Sequence, residues 1–191
     1  MPNNKIIAVV NLKAKLRPMD RGVIEDAFLD FFESLNIETD ITGGGTLVEE
    51  NGEMIECDIE IDLTYYNEKI LQRIIKFFES TLAPKGSSIT VEDNDGKVLD
   101  KVYFGDHEGL ALYMNNTDLP DHYYEDYDTN YVYNECNRRI KGVGNVYSYW
   151  NGNEETAIYM YGDCYEKMLK LIEPFLNAYP LCEKVRIVQT A

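Results

Sequence analysis

The chain has 191 residues, 45% of them hydrophobic and 12% aromatic, and a formal net charge of −16. This composition can build a core and excludes a disordered chain, while no apolar run approaches the ~18 residues needed to span a bilayer. An acidic field repels nucleic-acid phosphates and anionic lipid, so neither is expected as a partner; it favours a basic protein, or simply keeps the chain soluble.

The N-terminal Met1-Pro2-Asn3-Asn4-Lys5 runs straight into an apolar stretch. It lacks the charge, long apolar segment and small-residue cleavage site of a secretory signal, so a cytoplasmic location is expected. Residues 5–16 alternate as a strand, with Ile6, Ala8, Val10, Leu12 and Ala14 on one face. Pro18 ends it. Asp20 is read as the cap of a helix reaching about Leu35, with Ile24, Ala27, Phe28, Phe31 and Leu35 as its apolar stripe. Gly43-Gly44-Gly45 opens a hairpin whose turn is Asn51-Gly52, a dipeptide that tolerates positive φ. Residues 57–63 return with strict alternation. A second amphipathic helix spans 67–82 with Ile70, Leu71, Ile74, Ile75 and Phe78, and residues 88–92 close the unit as a strand.

Asp93-Asn94-Asp95-Gly96 is a turn signal, and residues 97–104 read as an extra strand or a linker. Then the pattern recurs: a strand at 109–115, a helix at 123–140, a hairpin through Asn151-Gly152, a strand at 156–161, a helix at 165–178 and a strand at 184–189. Punctuation marks of the two halves correspond in order. Leu16-Arg17-Pro18 matches Asp118-Leu119-Pro120, Gly43-Gly44-Gly45 matches Gly142-Val143-Gly144, and Asn51-Gly52 matches Asn151-Gly152. Glu68-Lys69 matches Glu166-Lys167, and Ala83-Pro84 matches Tyr179-Pro180. The expectation is an α+β protein made of two βαββαβ units: residues 1–93, a connecting stretch 94–108, and residues 109–191. Each unit should form an antiparallel sheet with helices on one face.

The sheet faces away from the helices differ between the halves. Asp58, Glu60 and Asp62 alternate along one strand about 7 Å apart, a spacing that suits a hard cation or acid–base work. Lys13 and Lys15 on the neighbouring strand are expected to neutralise them, so no metal is expected. The second half instead offers Tyr113, Tyr159 and Tyr161. Phenols pair well with carboxylates, so these two sets either pack together or line a ligand cleft.

Familiar catalytic patterns are missing. His107 and His122 each stand alone, and Gly43-Gly44-Gly45-Thr46 lacks the lysine and the following helix of a phosphate loop. No GxSxG, HExxH or GxGxxG occurs. The four cysteines, Cys57, Cys136, Cys164 and Cys182, form no CxxC pair and read as buried thiols of a reducing compartment. Basic residues are scattered apart from Arg138, Arg139 and Lys141. No cofactor is expected. One stretch stands out: Asp121, His122, Tyr123, Tyr124, Glu125, Asp126, Tyr127 and Asp128 mix four carboxylates with three tyrosines at a helix start. Acids there suit the helix dipole, and tyrosines ringed by acids also suit a basic protein surface.

The order βαββαβ, repeated over nearly the whole chain, resembles the tandem ferredoxin-like architecture. Residues 43–63 and the ending Glu173-Pro174-Phe175 … Tyr179-Pro180-Leu181-Cys182 resemble segments of uncharacterised small acidic bacterial proteins. Some proteins of that kind are similar to immunity proteins of toxin systems. The resemblance carries no functional residue over. Three readings follow: a protein-binding module such as an immunity-type inhibitor of a basic toxin; a small-ligand binder or cofactor-free enzyme using a cleft between the sheets; and a structural subunit of a homo-oligomer.

Overall fold

The computed structural model describes residues 6–191; Lys5, expected to open the first strand, lies outside them. The chain divides into two compact units. Of the described residues, the first comprises those up to Val48 and Met54–Asp106, and the second comprises His107–Ala191 together with the turn Glu49–Glu53.

In the first unit, β1 (Ile6–Leu12) pairs antiparallel with β3 (Met54–Leu63) on one side and β4 (Ser87–Glu92) on the other. β2 (Thr39–Val48) and β5 (Val98–Phe104) form the edges, giving the order β2-β3-β1-β4-β5. The stretch after Asp93-Asn94-Asp95-Gly96 is therefore a strand, and the Tyr66 hydroxyl donates to Asp100 on it at 2.7 Å. Ala8, Val10, Leu12, Cys57, Ile59, Ile61, Leu63, Ile89 and Val91 are all buried, which makes one continuous apolar face. Ladder pairing stops at Leu12, but Ala14 and Leu16 remain buried, since burial sustains the alternation after pairing has ended.

α1 (Pro18–Ser34) begins one turn earlier than the sequence implies. Pro18 occupies its first position, where a missing N–H costs nothing. Asp20 is not the cap but the third helical residue; its carboxylate accepts from the Arg17 backbone N–H and forks with the Arg17 guanidinium at 2.7 and 2.8 Å. The buried stripe is Ile24, Phe28 and Phe32, while Phe31 and Leu35 stay partly exposed. Asn67 caps α2 (Glu68–Thr81) by accepting from Ile70 N–H at 3.0 Å. Phe28 stacks with Phe32 at 4.4 Å and meets Phe77 and Phe78 of α2 at 5.3 and 5.7 Å.

The second unit repeats this order as β7-β8-β6-β9. β6 (Glu108–Asn115) sits between β8 (Glu155–Gly162) and β9 (Arg186–Gln189), and β7 (Gly144–Asn151) is at the edge beside β8. Thus β3 and β8 hold equivalent places, and the two ferredoxin-like units expected from the repeat are both present. The helical stretch 123–140 is not continuous. It breaks into α3 (Asp121–Asp126) and α4 (Thr129–Ile140), with Asp128 capping α4 by accepting from Asn130 N–H at 2.8 Å. α5 (Tyr165–Leu176) carries Pro174 in its last turn, and a short 3₁₀ turn, Pro180–Cys182, follows. Leu110, Leu112 and Met114 of β6 pack with Val132, Cys136 and Ile140 of α4 and Met168, Ile172 and Phe175 of α5.

The two hairpin turns share a dipeptide but not a reason for it. Gly52 has φ +82°, a conformation that favours glycine. Gly152 does not take positive φ; the Trp150 ring lies where its Cβ would be. The thiols of Cys57, Cys136 and Cys182 are buried, and desolvation pushes each up to about 12. Cys164, just before α5, is only half-buried.

Among the described residues, no helix is long and apolar enough to cross a membrane.

Candidate functional site

The strand β3 sets Asp58, Glu60 and Asp62 on the sheet face opposite the buried one. Register decides what they meet. Asp58 lies across from Asn11, Glu60 from Val9 and Asp62 from Ile7. Asn11 Nδ2 donates to Asp58 at 2.8 Å and to Glu56 at 3.1 Å. Lys13 lies beyond the end of β1 and pairs with Glu56, not with the three carboxylates it was expected to neutralise. That lysine holds the Glu56 carboxyl below its ordinary value, partly offset by burial. Glu60 is accommodated by the glycine run: a Cβ on Gly43 would come within 2.8 Å of Glu60 Oε2. Among the described residues, no three His, Cys, Asp or Glu side chains gather as metal ligands.

Tyr113, Tyr159 and Tyr161 are all buried, because both faces of β6 and β8 are covered. The hydroxyls of Tyr113 and Tyr159 donate to one oxygen, Glu53 Oε1, at 2.6 and 3.0 Å. Their rings meet edge to face at 6.4 Å. Burial, then the Glu53 hydrogen bond, raises the Tyr113 phenol far above the usual range. Burial and the neighbouring Tyr113 and Glu53 raise Tyr159 further still. Arg186 lies over the Tyr113 ring at 3.8 Å and forks onto Glu155 at 3.1 and 2.6 Å. Tyr161 packs on Tyr147, with centroids 6.1 Å apart. Glu53 gave no signal in the sequence. It follows a hairpin turn, where an acid is ordinary, and its partners lie 60 and 106 residues further on.

The acid–tyrosine stretch is partly exposed. Asp121, Glu125, Asp126 and Asp128 are exposed, and Tyr123, Tyr124 and Tyr127 are half-buried. Tyr123 meets Tyr127 at 5.8 Å, Tyr127 meets Tyr179 at 5.3 Å, and Tyr179 meets both Tyr131 and Phe175 at 5.2 Å. The result is a run of five aromatic rings joining α3, α4 and the end of α5. The Tyr179 hydroxyl accepts from Asp128 N–H at 3.1 Å, which fixes the α3–α4 break. Tyr124 stands apart, its hydroxyl accepting from Leu119 N–H at 2.9 Å. Tyr131 is 51% exposed, and a hollow of about 430 Å³ lies between Tyr131, Phe175, Ala178 and Tyr179. Sequence reading finds the three tyrosines of the stretch. It misses Tyr131, Phe175 and Tyr179, which read as ordinary helix and turn residues until the fold joins them.

No family model matches the chain, and no curated protein sequence matches it. Among solved structures, the chain is similar to an unknown protein from Galdieria sulphuraria, at 13% identity and a TM-score of 0.29, over 97% of this chain and 96% of that one. It is also similar to a mutant chlorite dismutase from Candidatus Nitrospira defluvii, at 7% identity and a TM-score of 0.31, over 98% and 90% of the two chains. An anthrone oxidase-like protein matches at 8% identity and a TM-score of 0.28, again over 98% and 90%. Likenesses at this level carry no argument about this chain, and the fold stands on its own strand order.

Proposed function

We propose that this chain is a protein-binding module that takes a basic partner on the acid-rimmed aromatic surface of α3, α4 and the end of α5. One observation supports it above the rest: four partly exposed tyrosine rings, backed by the buried Phe175, run together beside four exposed carboxylates, on a chain of net charge −16. Aromatic rings supply contact area at small entropic cost, and rim charges steer an oppositely charged partner. An immunity-type inhibitor of a basic toxin is the specific form of this reading; its support is the charge and the sequence resemblance.

The alternative is a small-ligand binder or cofactor-free enzyme at the tyrosine-lined face. The convergence of Tyr113 and Tyr159 on Glu53 supports it, since two buried phenolic donors meet one half-buried carboxylate. A homo-oligomer is the third reading, and light scattering tests it.

The partner is to be captured from the source cells with the wild-type chain and with Tyr131→Ala as bait, and rates measured on the purified pair. Replacing Glu125 by Gln and Asp126 by Asn should lower the association rate and weaken its salt dependence. Tyr131→Ala should raise the dissociation rate, at a cost of about 2 kcal/mol for a hot-spot ring. A neutral or acidic partner, or rates unchanged by these substitutions, removes the proposal.

A further inference from the structure

A different part of the second unit holds a pocket that the proposed function does not use. Between α4 and the strands β7 and β8 lies a pocket of about 480 Å³. Its walls include Asn130 and Asn134 from α4, Asn151 from β7, Thr156 from β8, and the rings of Tyr133 and Tyr149. That volume falls in the range of small-molecule sites. In a chain where 27% of residues are charged, no Asp, Glu, Lys, Arg or His among the described residues lines this pocket.

The polar groups are set for different tasks. Thr156 Oγ1 is locked to the side-chain amide of Asn116, with both bonds at 3.1 Å. Asn130 Nδ2 is held by Asp128 at 3.1 Å, which leaves its carbonyl oxygen as an acceptor. Asn134 and Asn151 make no side-chain hydrogen bond to other described residues, so each offers both a donor and an acceptor. Tyr133 and Tyr149 meet at 89°, with centroids 6.4 Å apart.

We propose that this pocket binds a neutral saccharide. Hydroxyl groups both donate and accept, which amides match on either edge. An anionic ligand meets no cation here and a repelling field overall. A flat nucleobase gains most from stacking on ring faces, and two perpendicular rings cannot sandwich it. One ring face beside a second ring's edge suits the C–H face of a sugar, with the amides around its rim.

The test is saturation-transfer NMR of the full chain with a fixed panel. The panel is D-glucose, D-galactose, D-mannose, N-acetyl-D-glucosamine and maltose, with glucose 6-phosphate and uridine as charged and flat comparators. The expected result is transfer to at least one neutral sugar, insensitive to salt, and binding at least tenfold weaker in both Asn134→Ala and Asn151→Ala. Both residues are exposed, and a circular-dichroism melt shows whether each variant stays folded. If both variants unfold, chemical-shift mapping of the wild-type chain decides: sugar-induced shifts at Asn134, Asn151 and Tyr149 support the site, and shifts confined elsewhere overturn it. Transfer to no panel sugar, transfer unchanged in the folded variants, or stronger transfer to either comparator also overturns it.

Discussion

At the scale of single residues, the most consequential side chain is one that local sequence could not reveal. Glu53 accepts from two buried phenols drawn from β6 and β8. A buried hydroxyl left without its acceptor costs about 1–3 kcal/mol, so Glu53→Ala should destabilise more than Glu53→Gln, which keeps an acceptor oxygen. The phenols also set a pH dependence. Both are raised above the ordinary value by burial and by Glu53. Folded and unfolded chains hold these protons equally below about pH 10. Above it the unfolded chain releases them first, so stability is complete below pH 10 and is lost as pH rises further. Urea unfolding at pH 9 and pH 11 should show that loss, and Tyr159→Phe should shrink it. An equal loss in the variant would show that the drop comes from other groups. The buried tyrosines could be seen in the sequence as alternating strand residues; their shared carboxylate could not, because nothing local ties position 53 to positions 113 and 159.

At the scale of elements, the strands were legible and the helix boundaries less so. Strand alternation is set by burial, which sequence displays directly; Ala14 and Leu16 follow it even past the end of pairing. Helix starts depend on which of several competing caps wins. Pro18 displaced Asp20 from the cap position of α1, and Asp128 split the stretch 123–140 into α3 and α4. The signal for the split was present, since Asp128 stands before Thr129 and Asn130, but the apolar pattern running through it obscured the break. The split matters because it turns Tyr123 and Tyr127 toward Tyr179. Asp128→Ala should cost about 1 kcal/mol by loss of the cap, while Asp128→Asn, an equally good cap, should be near neutral. Chemical denaturation of both variants checks this, and equal destabilisation would mean that charge, not capping, is what Asp128 supplies.

At the scale of the whole molecule, the duplication was legible because glycine, proline and hairpin signals fall in the same order twice, and the strand orders β2-β3-β1-β4 and β7-β8-β6-β9 answer to it. The sequence left open whether the stretch after Gly96 was strand or linker, because an edge strand with one neighbour shows weak alternation; Val98 and Leu99 are exposed. Nor did it show that Tyr159 and Tyr161 are wholly buried, since tyrosine suits a wet face and a dry one equally. Charge acts at this scale as well. With 34 acidic against 18 basic side chains, the folded chain repels itself more than the expanded one. Sodium chloride shortens the reach of that repulsion, to about 10 Å at 0.1 M. Thermal melting should therefore rise between 0.02 and 0.5 M salt. The proposed basic partner adds a second observable in the same titration. Its association rate should fall as salt rises, because the ions that relieve self-repulsion also screen the attraction between partners. Opposite signs for stability and association rate are the expected result. A melting temperature that falls with added salt would mean that attractive ion pairs such as Arg21–Glu25 and Arg186–Glu155 outweigh the net charge, and an association rate indifferent to salt would mean that the acidic rim does not steer the partner.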